Sequence, residues 1–238
     1  MKKIHKAFYR HVDLNTYHSI IALNGELPDQ SFFDDTLPVI ATDGAANSLN
    51  KIGVKPKIII GDLDSVDPIL LKNTEFLYIS DQNKCDFDKA LDYAAQSNLL
   101  PAIVLGANGG YIDHVLNNIS TLISIGGTFY TPPIVGHALR AESLTTFLLP
   151  INTKISLIGA TKTLISTHGL HWELSHSTLS FINKNSCFNR TVKNRVSIHV
   201  HSGCCLAMIY LEDTPDAGKD AVISGVQHLI HTFSDAIP

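Results

Sequence analysis

The stretch K57-I-I-I-G-D-L-D-S-V-D-P68 decides how the rest of the chain is read. An apolar run, residues 57–61, is followed at once by Asp62, Asp64 and Asp67, with Pro68 closing the segment. Apolar runs of this length read as fully buried strands, and a strand buried on both faces belongs to a parallel sheet. Three carboxylates at the end of such a strand repel one another. Either they face water or a cation sits between them. Working outward, the same pattern recurs: "YHSIIAL" (17–23), "PVIATD" (38–43), "EFLYIS" (75–80) and "AIVLG" (102–106) read as strands. "GAANSLNKIG" (44–53), "DFDKALDYAAQSNLL" (86–100) and "DHVLNNISTLISIG" (113–126) carry apolar residues at helical spacing. Alternating strands and helices predict an α/β fold with a mostly parallel sheet and helices on both faces over residues 1–150.

The pattern changes after Pro150. "KISLIG", "KTLIST", "HWELS", "STLSFI", "RVSIHVHSG" and "CCLAMIYL" are short β-type runs separated by turn residues. Val196, Ile198 and Val200 alternate with Ser197, His199 and His201, a period of two with one buried face. Residues 151–238 are therefore expected to form a small antiparallel β-sandwich or jelly-roll-like domain. "AVISGVQHLIH", near the C-terminus, fits either a helix or a further strand.

Ligands of open α/β sheets bind beyond the carboxyl ends of the strands. Asp43 closes the second run, Asp62 and Asp64 follow the third, Gln82 and Asp86 the fourth, and Asp113 the fifth. Four successive strand ends deliver carboxylates to one edge, and Mg²⁺ is the hard cation that suits such donors and shares phosphate oxygens. Asp67, before Pro68, reads instead as a helix cap. "GANGGYIDH" (106–114) is a glycine-rich strand-to-helix turn, readable as an anion cradle or as a turn that needs positive φ. It is neither of the common nucleotide-binding glycine fingerprints.

The bulk composition narrows the alternatives. The chain has 238 residues, 45% hydrophobic and 17% charged, with a formal net charge of −4, which fits a packed globule and gives no basic footprint for nucleic acid. No apolar run is long enough to span a membrane, and the basic N-terminus lacks the apolar core of a secretory signal. The four cysteines form no C-x-x-C pair and read as free thiols in a reducing, cytoplasmic setting. His199 and His201 share a strand face, but that face points to solvent, so they read as surface histidines rather than zinc ligands. His168, His171 and His176 bracket Trp172 in sequence.

"NGELP" (24–28), "DGAAN" (43–47), "KPKIIIGDLDSV" (55–66), "QNKCDFDKAL" (82–91), "GANGGYIDHVLNN" (106–118), "ISLIG…STHGLHWEL" (155–174) and "NSCFN" (185–189) together resemble the thiamine pyrophosphokinase family in order and spacing. The resemblance implies transfer of a pyrophosphoryl group from ATP to thiamine, an α/β catalytic domain followed by a β-sandwich that binds thiamine and dimerises, and a homodimer with active sites between subunits. Carried over by position, it implies Asp62, Asp64 and Asp86 as Mg²⁺ ligands, with Asp43 and Asp113 as further catalytic acids. It implies Asn47, Gln82 and Lys89 as substrate or phosphate contacts, Trp172 as the aromatic wall for thiamine, and Ser186 and Asn189 in the facing turn. The chain has Tyr111, Cys85 and Phe188 where the family usually has Arg, Thr and a small residue. These differences keep two other readings in view: a diphosphokinase for another hydroxymethyl heterocycle such as a pterin, and a relative that binds without turnover.

Overall fold

A computed structural model describes Phe8 and residues 11–33 and 37–211. The segment "AVISGVQHLIH" lies outside the described residues. The parallel strands are β1 (Ser19–Ala22), β2 (Val39–Thr42), β3 (Ile58–Gly61), β4 (Glu75–Tyr78), β5 (Ala102–Leu105) and β6 (Thr128–Thr131). The helices between them are α1 (Asp43–Lys51), α2 (Pro68–Leu71), α3 (Asp86–Gln96) and α4 (Ile112–Ile125). Strands β7 (Ile134–Arg140), β8 (Ser143–Leu148), β9 (Lys154–Gly159), β10 (Thr163–His168), β11 (Ser177–Leu179), β12 (Ser186–Arg190), β13 (Arg195–Ser202) and β14 (Cys204–Tyr210) follow.

One ten-stranded sheet runs β12-β9-β14-β7-β6-β5-β1-β2-β3-β4, and a four-stranded sheet runs β11-β10-β13-β8. Strand β6 is parallel to β5 and antiparallel to β7, so the sheet changes character there without breaking. Its two faces carry separate cores. On one face, α3 (Phe87, Ala90, Ala94) and α4 (Leu122) pack against Ile21, Ile40, Ile60, Val104 and Leu206. On the other, α1 (Ala45, Ala46, Leu49) covers the parallel strands, while Ile165, Val196, Ile198 and Val200 of the second sheet meet Val135, Leu139, Ile155 and Ile209. The antiparallel half of the large sheet is thus one layer of the sandwich expected from the sequence.

Two expectations change. Residues 171–175, "HWELS", form a loop and not a strand. The Glu173 carboxylate folds back to accept hydrogen bonds from the backbone N–H groups of Gly169 (2.6 Å) and Leu170 (3.1 Å) and from Thr167 Oγ1 (2.8 Å), which closes the segment on itself. The three strands between residues 128 and 148 were not expected, and they carry the antiparallel pattern back across position 150. β4, the fourth apolar run, is an exposed edge strand.

The β6–β7 pairing depends on one small residue. Phe129 lies opposite Gly136, and a Cβ at Gly136 would stand 1.9 Å from the Phe129 ring. Overpacking a core costs about 1–3 kcal/mol. Gly136→Ala is therefore expected to lower unfolding stability by that amount in a urea titration, whereas a loss below about 0.5 kcal/mol, the size of an ordinary surface change, would show that the pairing does not rest on this contact.

Candidate functional site

Strands β1, β2, β3 and β5 end at the same edge, and their following loops build the site. Beyond β1 and β5 the backbones touch: Glu26 N–H donates to Asn108 O at 2.7 Å, and a Cβ at Gly106 (φ 70°) would lie 2.2 Å from the Leu23 carbonyl oxygen. Only glycine tolerates both that approach and that backbone. Gly109 (φ 99°) and Gly110 (φ 76°) continue the turn into α4, so the positive-φ reading of this segment holds, and its N–H groups remain compatible with an anion.

Asp43 is the first residue of α1 and is 4% exposed. Its Oδ1 accepts from Gly44 N–H and its Oδ2 from Ser65 N–H at 3.4 Å. Burial, followed by the charges of Asp86 and, more weakly, Asp62, raises its pKa. Asp62 and Asp64 lie in the loop after β3. The residue between them, Leu63, takes φ 62° and packs against the main core. A left-handed leucine costs on the order of 1 kcal/mol, and this strained residue anchors the loop between the two acids. Asp62 Oδ2 accepts from Gln82 Nε2 at 3.0 Å, which is the main reason its pKa is lowered. Asp64 Oδ1 accepts from Ser65 Oγ at 2.8 Å. One carboxylate oxygen each of Asp43, Asp62 and Asp64 lies within 4.8 Å of the others. Three hard oxygen donors, one of them buried and disfavoured as a bare anion, fit a divalent cation such as Mg²⁺.

Asp86 is not one of the three whose oxygens lie within 4.8 Å of one another, but its charge bears on Asp43 more strongly than that of Asp62. It pairs with Lys89 Nζ at 3.1 Å, and Lys89 is 3% exposed. Burial opposes the lysine's charge, but Asp86, Asp62 and Asp43 together outweigh it and raise its pKa. A buried ammonium needs a partner, and Asp86, one helical turn away, supplies it. Cys85 caps the same helix, its thiol donating to Asp88 Oδ2 at 3.0 Å; burial and then Asp88 hold that thiol protonated.

Asn47 clamps the loop from both ends of its amide. Nδ2 donates to Ser65 O at 2.7 Å, and Oδ1 accepts from Asp67 N–H at 2.8 Å. Asp67 caps α2 through Ile69 N–H at 2.9 Å, as its position before Pro68 suggested. Asp113 is exposed in the first turn of α4 and accepts from its neighbour His114 N–H at 3.0 Å. Ser65 and Leu63 were not singled out from sequence. The signal available for Ser65 was its place directly after the second acid, where a hydroxyl and an N–H reach neighbouring carboxylates.

The aromatic part of the site is elsewhere. Trp172 is 60% exposed and is not part of the core. Its backbone is held by fully buried Asn189 of β12: Trp172 N–H donates to Oδ1 at 3.1 Å, and Nδ2 donates to Trp172 O at 2.8 Å and to Ser186 Oγ at 3.2 Å. Phe188, exposed with φ 55°, sits in a bulge of β12, its ring beside Tyr210 and under Lys154 Nζ. Of the histidines near Trp172 in sequence, only His171 touches its ring, edge-on at 4.6 Å. His168 contacts Lys193.

If the trio holds a cation, Mg²⁺ raises the melting temperature by mass action on the folded state. Asp64→Asn is expected to remove more than half of that Mg²⁺-induced shift, and Asp67→Asn to leave it intact. Equal shifts in the two variants, measured by differential scanning fluorimetry, would contradict the assignment.

Comparison with known proteins shows what the chain is similar to. Residues 30–131 match the family model "Thiamin pyrophosphokinase, catalytic domain". Thiamin pyrophosphokinase 1 of Caenorhabditis elegans is 29% identical over 177 residues, covering 66% of this chain and 72% of the relative. Thiamine pyrophosphokinase 3 of Oryza sativa is 30% identical over 154 residues, covering 53% and 55%. Among solved structures, the thiamine pyrophosphokinase of Bacillus subtilis superposes with TM-score 0.69 at 18% identity, covering 80% of this chain and 97% of its own. The yeast enzyme gives 0.68 at 17%, covering 90% and 91%. At these identities the structural likeness establishes the shared fold.

Proposed function

We propose that this chain, whose residues 30–131 match the thiamin pyrophosphokinase catalytic domain, is a member of that family and transfers the pyrophosphoryl group of ATP to the hydroxyethyl oxygen of thiamine, giving thiamine diphosphate and AMP. The observation that carries the reading is the convergence of Asp43, Asp62 and Asp64 at the strand edge that also holds the buried Lys89–Asp86 pair and the glycine-rich turn. Asp43, Asp62 and Asp64 would hold Mg²⁺, which when bound neutralises phosphate charge.

The chain's own residues do the rest. Lys89, kept as an ammonium by the acids around it, offers positive charge to a phosphate, and Asp86 fixes its direction. Gln82 and Ser65 orient Asp62 and Asp64. Asn47 holds the loop that carries them. The thiamine oxygen attacks the β-phosphorus in line, the bond from that phosphorus to the α-phosphate bridging oxygen breaks, and AMP leaves. The hydroxyl proton passes to a carboxylate of the same edge, Asp43 or Asp113. The Trp172 face suits the cationic thiazolium ring, with Asn189 and Ser186 fixing the loop that presents it.

Sheet topology supports a homodimer with shared sites. The Trp172 loop is tied to β12, and the acids follow β2 and β3, with seven strand spacings from β12 to β2. At about 4.8 Å per spacing this is roughly 30 Å measured along the sheet, and in this reading a second copy brings its tryptophan to the acids of the first. In this reading residues 1–150 bind ATP and metal, and residues 151–238 bind thiamine and dimerise. No helix among the described residues is long and apolar enough to cross a membrane, and the four unpaired cysteines suit a reducing cytoplasm.

The test is AMP release from ATP and Mg²⁺ with and without thiamine. AMP that forms only with thiamine, together with the product mass of thiamine diphosphate and a fall in kcat of about 100-fold or more in Asp62→Asn, is expected. AMP formed with a hydroxymethyl pterin but not with thiamine, or ligand binding with no AMP, would overturn the assignment.

A further inference from the structure

Trp172 is the middle one of three exposed residues, His171 to Glu173, that buried Leu170 and Leu174 bracket. An exposed ring on a free loop loses conformational freedom when it takes up a ligand, and that loss is subtracted from affinity. Here the backbone on either side of the ring is held in advance. His171 N–H donates to Arg190 O at 2.8 Å, and the Asn189 amide engages both backbone groups of Trp172. Beyond the ring, Thr167 N–H donates to Leu174 O at 2.8 Å, and Leu174 N–H donates to Thr167 Oγ1 at 2.9 Å.

The base of the turn is set by Gly169 and Leu170. Gly169 takes φ 96°, and a Cβ there would stand 2.5 Å from the Arg195 carbonyl oxygen, so the turn lies directly against β13. Adjacent N–H groups in such a turn form a concavity suited to an anion, and the chain fills it from within. Glu173 Oε1 accepts from Gly169 N–H at 2.6 Å and from Leu170 N–H at 3.1 Å, and Oε2 accepts from Thr167 Oγ1 at 2.8 Å. Hydrogen bonds to a charged group are about twice as strong as those between neutral groups. His168 Nδ1, at 3.9 Å from the same Oε1, is too far for a hydrogen bond. Both carboxylate oxygens are therefore committed to the loop that carries Trp172.

We propose that Glu173 is the positioning residue for Trp172: its carboxylate locks the turn so that the ring is presented in one orientation to the cationic thiazolium, and it does so without touching the substrate. This role rests on thiamine being the acceptor. Trp172 supplies the surface, Asn189 holds its backbone from β12, and Glu173 holds the turn from inside the loop. Because three donors of the loop already occupy the carboxylate, the ring and not Glu173 meets the positive charge of the ligand.

Trp172 is the only tryptophan of the chain, so the anisotropy of tryptophan emission reports this loop alone. Glu173→Ala is expected to lower that anisotropy in the ligand-free protein and to raise the KM for thiamine about fivefold or more, with the KM for ATP and kcat unchanged. Glu173→Gln, whose Oε1 can keep both N–H bonds, is expected to restore anisotropy and KM to near the wild-type values. Thr167→Val removes the hydroxyl that joins Glu173 to Leu174; it is expected to shift both readouts the same way by less, and it supplies the comparison if circular dichroism shows that Glu173→Ala does not fold. Glu173→Gln as impaired in thiamine KM as Glu173→Ala would overturn the proposal, because the charge would then act on the substrate. So would wild-type anisotropy and KM in Glu173→Ala. A wild type that forms no AMP with thiamine would overturn the functional reading instead, and the anisotropies would still decide whether Glu173 holds the ring.

Discussion

Strand β6 pairs with β5 in parallel and with β7 antiparallel, and this single change of direction holds the acidic edge and the aromatic loop in one sheet. A parallel sheet alone would gather strand ends at one edge and stop there. The antiparallel extension through β7, β14 and β9 carries β12, and with it Asn189 and Trp172, to the far end. The hydrogen-bond ladder puts seven strand spacings between the two segments, and under the proposed function their meeting on one substrate is a matter of assembly between copies. Gly136 is part of the same join, because the Phe129 ring occupies the place a side chain would take.

The acidic edge is held against its own repulsion by a small set of polar contacts. Gly44 and Ser65 donate N–H groups to Asp43, Gln82 donates to Asp62, and the Ser65 hydroxyl donates to Asp64. Lys89 is the buried cation that offsets the nearby negative charge, and its direct partner is Asp86. Four carboxylates around one buried ammonium leave net negative charge at the site, the condition under which a divalent cation is drawn in. The Leu63 backbone shows that conformational energy is spent on the geometry of this loop, as strained residues at functional sites do.

Much of this was legible in the sequence. Buried runs followed by acids predict strands that end at a common edge, which gathers Asp43, Asp62, Asp64, Asp86 and Asp113 there without selecting the three whose oxygens meet. The helical stripes of α1, α3 and α4 and the alternation in β13 were equally readable, because burial on one side imposes its period on the sequence. Other features depend on contacts between distant segments. Asp86 pairs with Lys89, a buried lysine, and burial of a lysine is not written in its neighbours. Strands β6 to β8 went unread between the α/β alternation and the boundary drawn at Pro150. The "HWELS" segment has strand-like composition, but Glu173 closes it into a loop. His176 stacks on His201, not on Trp172, by way of a left-handed backbone. The contacts by which both ends of the Asn47 amide hold the 65–67 loop are likewise not written in its neighbours.

The claim that one chain supplies the acids and its partner the tryptophan is tested most directly by mixing two single variants, Asp64→Asn and Trp172→Ala, each deficient in thiamine diphosphate formation. The two chains are mixed, partly denatured to allow exchange, and refolded together. In a mixed twofold dimer one of the two sites receives both defects and the other receives neither. Random exchange is therefore expected to restore about one quarter of wild-type activity. Activity that stays at the level of the two separate variants would contradict the account and require both halves of the site to come from the same chain.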